Sequence, residues 1–252
     1  MIRRIAVVII CCLFGAGKLN AQVDIFLHKG KIQYERKMNM HAYIDELFKD
    51  EENSTWKDMS KQRYPQKFVN TYFNCYFTDT ASVYIPEENN NPKGFEQPPG
   101  TENIVYNIFA SNRTVTKKAL FETNYLIQDS IRKIDWKITD ETRNIAGFEC
   151  RRANAVIMDS VYVVAFYTEQ IIAPGGPESF AGLPGMILGV ALPHDHVSWF
   201  ATKVLVEDPQ PAVMQPPKKG KVVTRTQLHN DLMKSVGQWG SRGKVFIKGA
   251  EL

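Results

Sequence analysis

Lys67-Phe68-Val69-Asn70-Thr71-Tyr72-Phe73-Asn74-Cys75-Tyr76-Phe77-Thr78 is the stretch that decides the fold class. Side chains two apart share a face of an extended chain, so Phe68, Tyr72 and Tyr76 line one side and Val69, Phe73, Cys75 and Phe77 the other. Residues 31–40 place Ile32 and Tyr34 on one face in the same way. Strand-like runs recur at residues 82–85, 103–109, 113–120, 125–128, 132–138, 148–157, 161–167, 186–192 and 197–206. The turn formers Ile138-Thr139-Asp140 and Met158-Asp159-Ser160 come at the spacing of an antiparallel meander. Helical spacing is confined to residues 42–63, through Tyr43, Leu47 and Phe48, and to residues 226–239, through Leu228, Leu232, Met233 and Val236. The pattern predicts a mainly β chain: a curled antiparallel sheet, as an open barrel, half-barrel or sandwich, with one or two covering helices.

The first residues carry a different message. Arg3 and Arg4 precede an apolar run from Ile5 to Phe14, and small and polar residues lead to Ala21. Those are the three parts of a cleavable secretory signal. The apolar run is about half the roughly 20 residues needed to cross a bilayer, so residues 1–21 are read as removed rather than kept as an anchor. With them go Arg3, Arg4 and Lys18 but no acidic residue, and the formal charge falls from +4 to +1, 28 basic against 27 acidic side chains. A near-neutral chain lacks the clustered basic surface that nucleic acid requires. Cys11 and Cys12 also leave, so the mature chain holds Cys75 and Cys150. In an oxidising compartment these two form either one disulfide, stabilising by roughly 2 to 4 kcal/mol through the long loop it closes, or two buried thiols on separate strands.

Residues 22–207 are expected to form one β domain, with the turn-rich stretch 86–100 as a surface loop inside it. Pro209, Pro211, Pro216 and Pro217 then mark a linker, and residues 208–252 form a C-terminal segment with a short helix.

Phe180-Ala181-Gly182-Leu183-Pro184-Gly185-Met186-Ile187-Leu188 reads as a corner that defines the fold. Gly182 and Gly185 permit positive φ or close backbone approach, and Pro184 pushes Leu183 into an extended state. Leu183, Met186 and Ile187 then lead straight into a buried central strand, with Gly175-Gly176 as a flexible approach.

This segment, preceded by Gly176-Pro177, resembles the signature of the GLPGLI family of Bacteroidetes envelope proteins, with Met186 in place of the eponymous leucine. The resemblance extends to Gly30-Lys31-Ile32-Gln33-Tyr34-Glu35, to Ser82-Val83-Tyr84, to the block from Trp136 through Ala153, and to Ala165-Phe166-Tyr167-Thr168-Glu169-Gln170-Ile171. It implies export into the periplasm or to the outer membrane of a Gram-negative cell, an association with TonB-dependent outer-membrane receptors, and no established activity.

Several residue sets have the side chains that chemistry would need. His194-Asp195-His196 offers two imidazoles flanking a carboxylate, of which only His194 and His196 would converge from a strand on a metal, with a distant ligand such as His28, His41 or His229; its place after Pro193, between two strand-like runs, equally suits a polar hairpin turn. Met38-Asn39-Met40-His41 offers soft thioethers and an imidazole suited to Cu(I), against the alternative that the methionines simply face the core. There is no Gly-x-Ser-x-Gly elbow, His-Glu-x-x-His, phosphate loop or dinucleotide fingerprint, and no cofactor is implied. Asp79-Thr80-Ala81, Asp129-Ser130-Ile131 and Asp159-Ser160-Val161 match the pattern that Bacteroidetes exported proteins use for O-glycosylation, and equally suit a turn entering a strand. The leading expectation is a non-enzymatic envelope domain that binds a partner or ligand. Its rivals are a hydrolase with scattered catalytic residues and a metal-handling protein. A concave sheet lined by Tyr72, Tyr76, Tyr162, Phe166 and Trp199 would favour binding.

Overall fold

The computed structural model describes residues 26–51, 54–87, 89–92 and 97–252; the signal segment read at residues 1–21, with Cys11 and Cys12, lies outside the described residues. The chain runs through β1 (Lys29–Asn39), α1 (Met40–Leu47), α2 (Thr55–Gln62), β2 (Phe68–Thr78), β3 (Ala81–Pro86), β4 (Ile104–Ile108), β5 (Arg113–Leu120) and β6 (Thr123–Ser130). It continues through β7 (Lys137–Ile145), β8 (Phe148–Ile157), β9 (Val161–Thr168), β10 (Met186–Leu192), β11 (Val197–Leu205), β12 (Lys221–Val223), α3 (Arg225–Val236) and α4 (Ser241–Glu251).

The strands form one twelve-stranded sheet in the order β12-β6-β5-β4-β3-β2-β1-β11-β10-β9-β8-β7. β2 to β6 and β7 to β11 are two meanders in which sequence neighbours pair, and β1 lies between them, antiparallel to β2 on one side and β11 on the other. β12 adds the only parallel pairing among the described strands, to β6. Register shifts at Gln33/Tyr34 and at Ile187/Gly189 mark irregularities of the bulge type, which bend and twist a strand. The sheet curls enough for β7, at one edge, to touch β11.

The alternation at residues 67–78 decides the faces as read: Phe73, Cys75 and Phe77 are buried, opposite Tyr34, Ile32 and Gly30 of β1. Following register from strand to strand identifies a single inner face. On β8 to β11, β1 and β2 it is apolar, with Ala153, Ala165, Val190, Ile32, Tyr34 and Phe73. Burying side chains of this kind is worth about 1.5–3 kcal/mol each for the larger ones, which makes this arm the main core. A second cluster joins Ile127 and Val223 to Leu228, Leu232 and Val236 of α3 and Ile247 and Ala250 of α4. The helix α3 is started by a capping box, with Thr224 Oγ1 accepting from the Gln227 amide while Gln227 Oε1 accepts from the Thr224 amide.

Three expectations are corrected. No strand spans residues 132–138, and Ile138-Thr139-Asp140 is not a turn: β7 starts at Lys137 and runs through these residues with an irregularity between Ile138 and Thr142. As an edge strand with most residues exposed it has no buried face to impose alternation. Four helices are present among the described residues, two within residues 40–62, and α3 and α4 supply the expected cover over the sheet. Gly175 and Gly176 are packed rather than flexible, since a Cβ at Gly176 would sit 2.7 Å from the Phe180 carbonyl oxygen and 2.8 Å from Ile187 Cβ.

The corner leads into β10, which is flanked by β9 and β11. The Ile187 amide donates to Gly175 O at 2.9 Å and the Met186 amide to Ile171 O at 3.0 Å, tying the loop to its own strand. Gly182 has φ +90° in open space, whereas Gly185 has φ +138° and a Cβ there would lie 2.1 Å from the Thr168 carbonyl oxygen. Gly182→Ala is therefore expected to cost only the left-handed strain, about 1–2 kcal/mol, and Gly185→Ala more than about 4 kcal/mol. Urea unfolding of the two variants checks this, and equal losses would contradict it.

Cys75 on β2 and Cys150 on β8 are buried free thiols, so the bridge considered for them is not formed. Burial pushes both up to about 12 from the ordinary thiol value of 9.0. The unfolded thiols ionise near that ordinary value and the folded ones only near 12, so their contribution to stability is intact below pH 9 and is lost as pH climbs from about 9 towards 12. At pH 8 both thiols should resist a thiol-titrating reagent in the native protein and react together in denaturant. Rapid native labelling of either one would refute their placement.

Candidate functional site

Beyond β2 the inner face changes character. Register carries it from Phe77 and Cys75 to Ser82 and Tyr84, then to Asn107 and Val105, then to Thr114 and Thr116. On β5 the buried side chains are Thr114, Thr116 and Lys118, and Val115 is half-exposed on the other face. Hydrophobic pattern alone would reverse this strand. It is buried polar side inward because α3 and α4 cover it.

Between this polar arm and the two helices lies a cavity of about 310 Å3. Ile127, Ile131, Met158 and Leu228 give it apolar walls, and Lys118, Arg132, Arg225 and His229 bring nitrogen donors. Its roof is the end of α4, where the last carbonyls of a helix have no intrahelical partner and the helix dipole is negative. Three side chains meet that end: Lys118 Nζ donates to Ala250 O at 2.9 Å, Arg132 Nη2 to Glu251 O at 2.5 Å and Ser179 Oγ to Leu252 O at 2.5 Å. Burial pushes the Lys118 ammonium below the usual lysine value, opposed by the charge of Glu178. The Arg132 guanidinium is likewise lowered by burial, and its Nε is buried without a hydrogen-bond partner. At the wall His229 Nδ1 and Glu251 Oε1 lie 2.6 Å apart. Asp129 holds Arg225 through its backbone amide at 3.1 Å, and these contacts outweigh desolvation to keep the Asp129 carboxyl below the usual range.

Glu178 stands where this cavity meets a smaller pocket, and it lines both. It comes from the loop ahead of the corner, is 3% exposed, and adopts φ +51°, a left-handed backbone that a glutamate rarely takes. Its carboxylate accepts from Asn103 Nδ2 at 3.2 and 3.1 Å.

Of the residues singled out from the sequence, Met38, His194, His196 and Trp199 line the smaller pocket, and most of the others lie outside both cavities. Gly182 and Pro184 of the corner are exposed while Leu183, Gly185, Met186 and Ile187 are buried, so the motif shapes the loop that presents Glu178. His194 falls in a 3-10 turn over Pro193–Asp195 and His196 follows at φ 58°, so they sit on a hairpin turn between β10 and β11 rather than on one strand face. Among the described residues no three of His, Cys, Asp and Glu gather as a metal set. Met38 and Met40 are buried, and His41 Nε2 is hydrogen-bonded to Tyr64 O at 2.8 Å. Thr80, Ser130 and Ser160 are all exposed, the first and last at hairpin turns and Ser130 at the end of β6. Of the five aromatics considered for a concave lining, Trp199 alone lines a pocket described here. Tyr72 and Tyr76 pair with Glu35 and Lys31 on the outer face. Lys118, Arg132, Arg36, Asn103 and Glu178 were missed. The one signal in the sequence was the polar alternate set Thr114, Thr116, Lys118 inside a strand-like run.

No curated protein matches the sequence. A family model described as "Protein of unknown function (Porph_ging)" matches residues 155–189, which contain the corner and the Glu178 loop. Two solved structures titled "Structure of PNGF-II", in C2 and P21 space groups, are each similar to this chain with a TM-score of 0.54 at 14% identity. The match covers 85% of this chain and 33% and 34% of theirs, so the chain spans about a third of their length. What this likeness shows is a shared fold.

Proposed function

We propose that this chain is an exported, non-enzymatic binding domain of the GLPGLI type, working in the periplasm or at the outer membrane, and that its ligand occupies the cavity under α3 and α4. The observation that carries the reading is that cavity of about 310 Å3, which lies at the lower end of the range for small-molecule sites and combines apolar walls with a few fixed polar groups. Arg132 Nε, a buried donor without a partner, calls for an acceptor in the ligand. The ligand class that fits is an amphipathic acid, its apolar body against Ile127 and Leu228 and its acidic group beside Arg132. The match of residues 155–189 to a family of unknown function supports the family reading, and the association with a TonB-dependent receptor is carried by the sequence resemblance alone.

A hydrolase has one observation in its favour, the His229–Glu251 pair on the cavity wall. The serine hydroxyl lining the same cavity, Ser179 Oγ, is engaged by Leu252 O, which leaves the histidine without a prepared nucleophile.

Purified from the native envelope, the protein should carry a small acidic molecule visible by native mass spectrometry, and Arg132→Met should reduce its occupancy about tenfold or more. A TonB-dependent receptor should co-purify. An empty cavity and no receptor would sink the reading. Export also makes Thr80, Ser130 and Ser160 acceptors for O-linked glycans, and their exposure suits that role. The denatured mature chain should then exceed its sequence mass, whereas a mass equal to the sequence would exclude the modification.

A further inference from the structure

The smaller pocket, about 60 Å3, shares Glu178 and Leu252 with the larger cavity and is otherwise built from different residues, among them Arg36, Tyr43, Asn103 and Trp199. Arg36 occupies an inner-face position of β1, between Thr71 of β2 and Trp199 of β11, and is 5% exposed. Neither neighbour offers it a carboxylate. Its guanidinium carbon lies 5.4 Å from the centre of the Trp199 ring, and Nη2 reaches the weak acceptor Met38 Sδ at 3.5 Å. Nε and Nη1 have no hydrogen-bond partner among the described residues. A buried guanidinium in that condition is far costlier than a neutral orphan, so something with acceptor oxygens is expected to fill the space in front of it.

Across the same pocket stands Glu178, buried and, among the described residues, bonded only to the Asn103 amide. Among the described residues no ion pair joins Glu178 to Arg36, although its charge is the largest influence opposing the desolvation of Arg36. The other carboxylates lining the pocket are already paired, Asp195 with Lys248 and Glu46 with Lys49. His194 and His196 also line the pocket, and of its Lys, Arg, Asp and Glu side chains only Arg36 and Glu178, held apart by the fold, have no ion-pair partner among the described residues. A simple anion would be attracted by Arg36 and repelled by Glu178, a simple cation the reverse, and only a ligand carrying both charges satisfies both ends.

We propose that this pocket binds a small zwitterion of the α-amino-acid type, its carboxylate accepting from Arg36 and its ammonium donating to Glu178. The volume suits a ligand of few heavy atoms, since a space of this size holds on the order of four waters. The proposal goes beyond the amphipathic acid of the larger cavity and does not rest on it. Glycine is the probe, with acetate and methylammonium as its two single-charge halves, titrated into the purified protein by calorimetry. Glycine should bind, and each half should bind at least about tenfold more weakly. Glu178→Gln, which keeps size and can still meet Asn103, should lower glycine affinity about tenfold or more with near-ultraviolet dichroism unchanged, as should Arg36→Met. Equal affinity for acetate and glycine, no glycine heat at millimolar concentration, or full affinity in folded Glu178→Gln would overturn the proposal.

Discussion

The double pairing of β1 is the constraint on which the rest depends. Each meander can be assembled from local hairpins, but neither has a reason to lie beside the other until β1 hydrogen-bonds to β2 along one edge and β11 along the other. This seam joins residues far apart in sequence, and such contacts form at a large cost in chain entropy. It also decides the faces on both sides at once. A slip of one residue in β1 would turn Ile32, Tyr34 and Met38 outward and take Arg36 with them. The buried hydroxyl of Tyr34, which donates to Ile187 O at 2.6 Å, pins that register directly to the strand behind the corner.

Where burial was governed by apolar alternation, the sequence was readable. Residues 67–78, 148–157, 161–167 and 186–192 match the observed strands to within one residue at each end, because one side of each must leave water. β7 was not readable, because most of it stays in water and any polar order serves. α4 was hidden for another reason. Gly243 and Gly249 break its helical pattern, and its ordering owes much to Ile247 and Ala250 packing against α3 and β6. The polar arm of the inner face was the hardest to see. Thr116 and Lys118 are buried by helices that come more than a hundred residues later, and no local rule anticipates a cover that distant.

The cover explains an otherwise odd distribution of charge. Lys118 and Arg132 are desolvated cations, and in isolation each would weaken the fold. Facing the carbonyl end of α4, they satisfy groups the helix cannot satisfy for itself and draw on its dipole. The same contacts fasten α4 at its last turn, while Lys248 pairs with Asp195 on the hairpin between β10 and β11. The roof of the cavity is thus tied to both arms of the sheet. A ligand acid reaching Arg132 would compete with a backbone carbonyl, a weaker acceptor than a carboxylate.

An open sheet, unlike a closed barrel, has two rims, and each is a template on which a foreign strand could grow. The rim formed by β7 is studded with the exposed residues Lys137, Asp140, Glu141 and Arg143, charges of both signs spaced so that no flat apolar ribbon is on offer. The opposite rim is only three residues long and runs parallel to its neighbour. The edge strand whose alternation was illegible therefore has a sequence suited to a different task. Its mixed polarity is of the kind that discourages edge-to-edge pairing between copies of an open sheet.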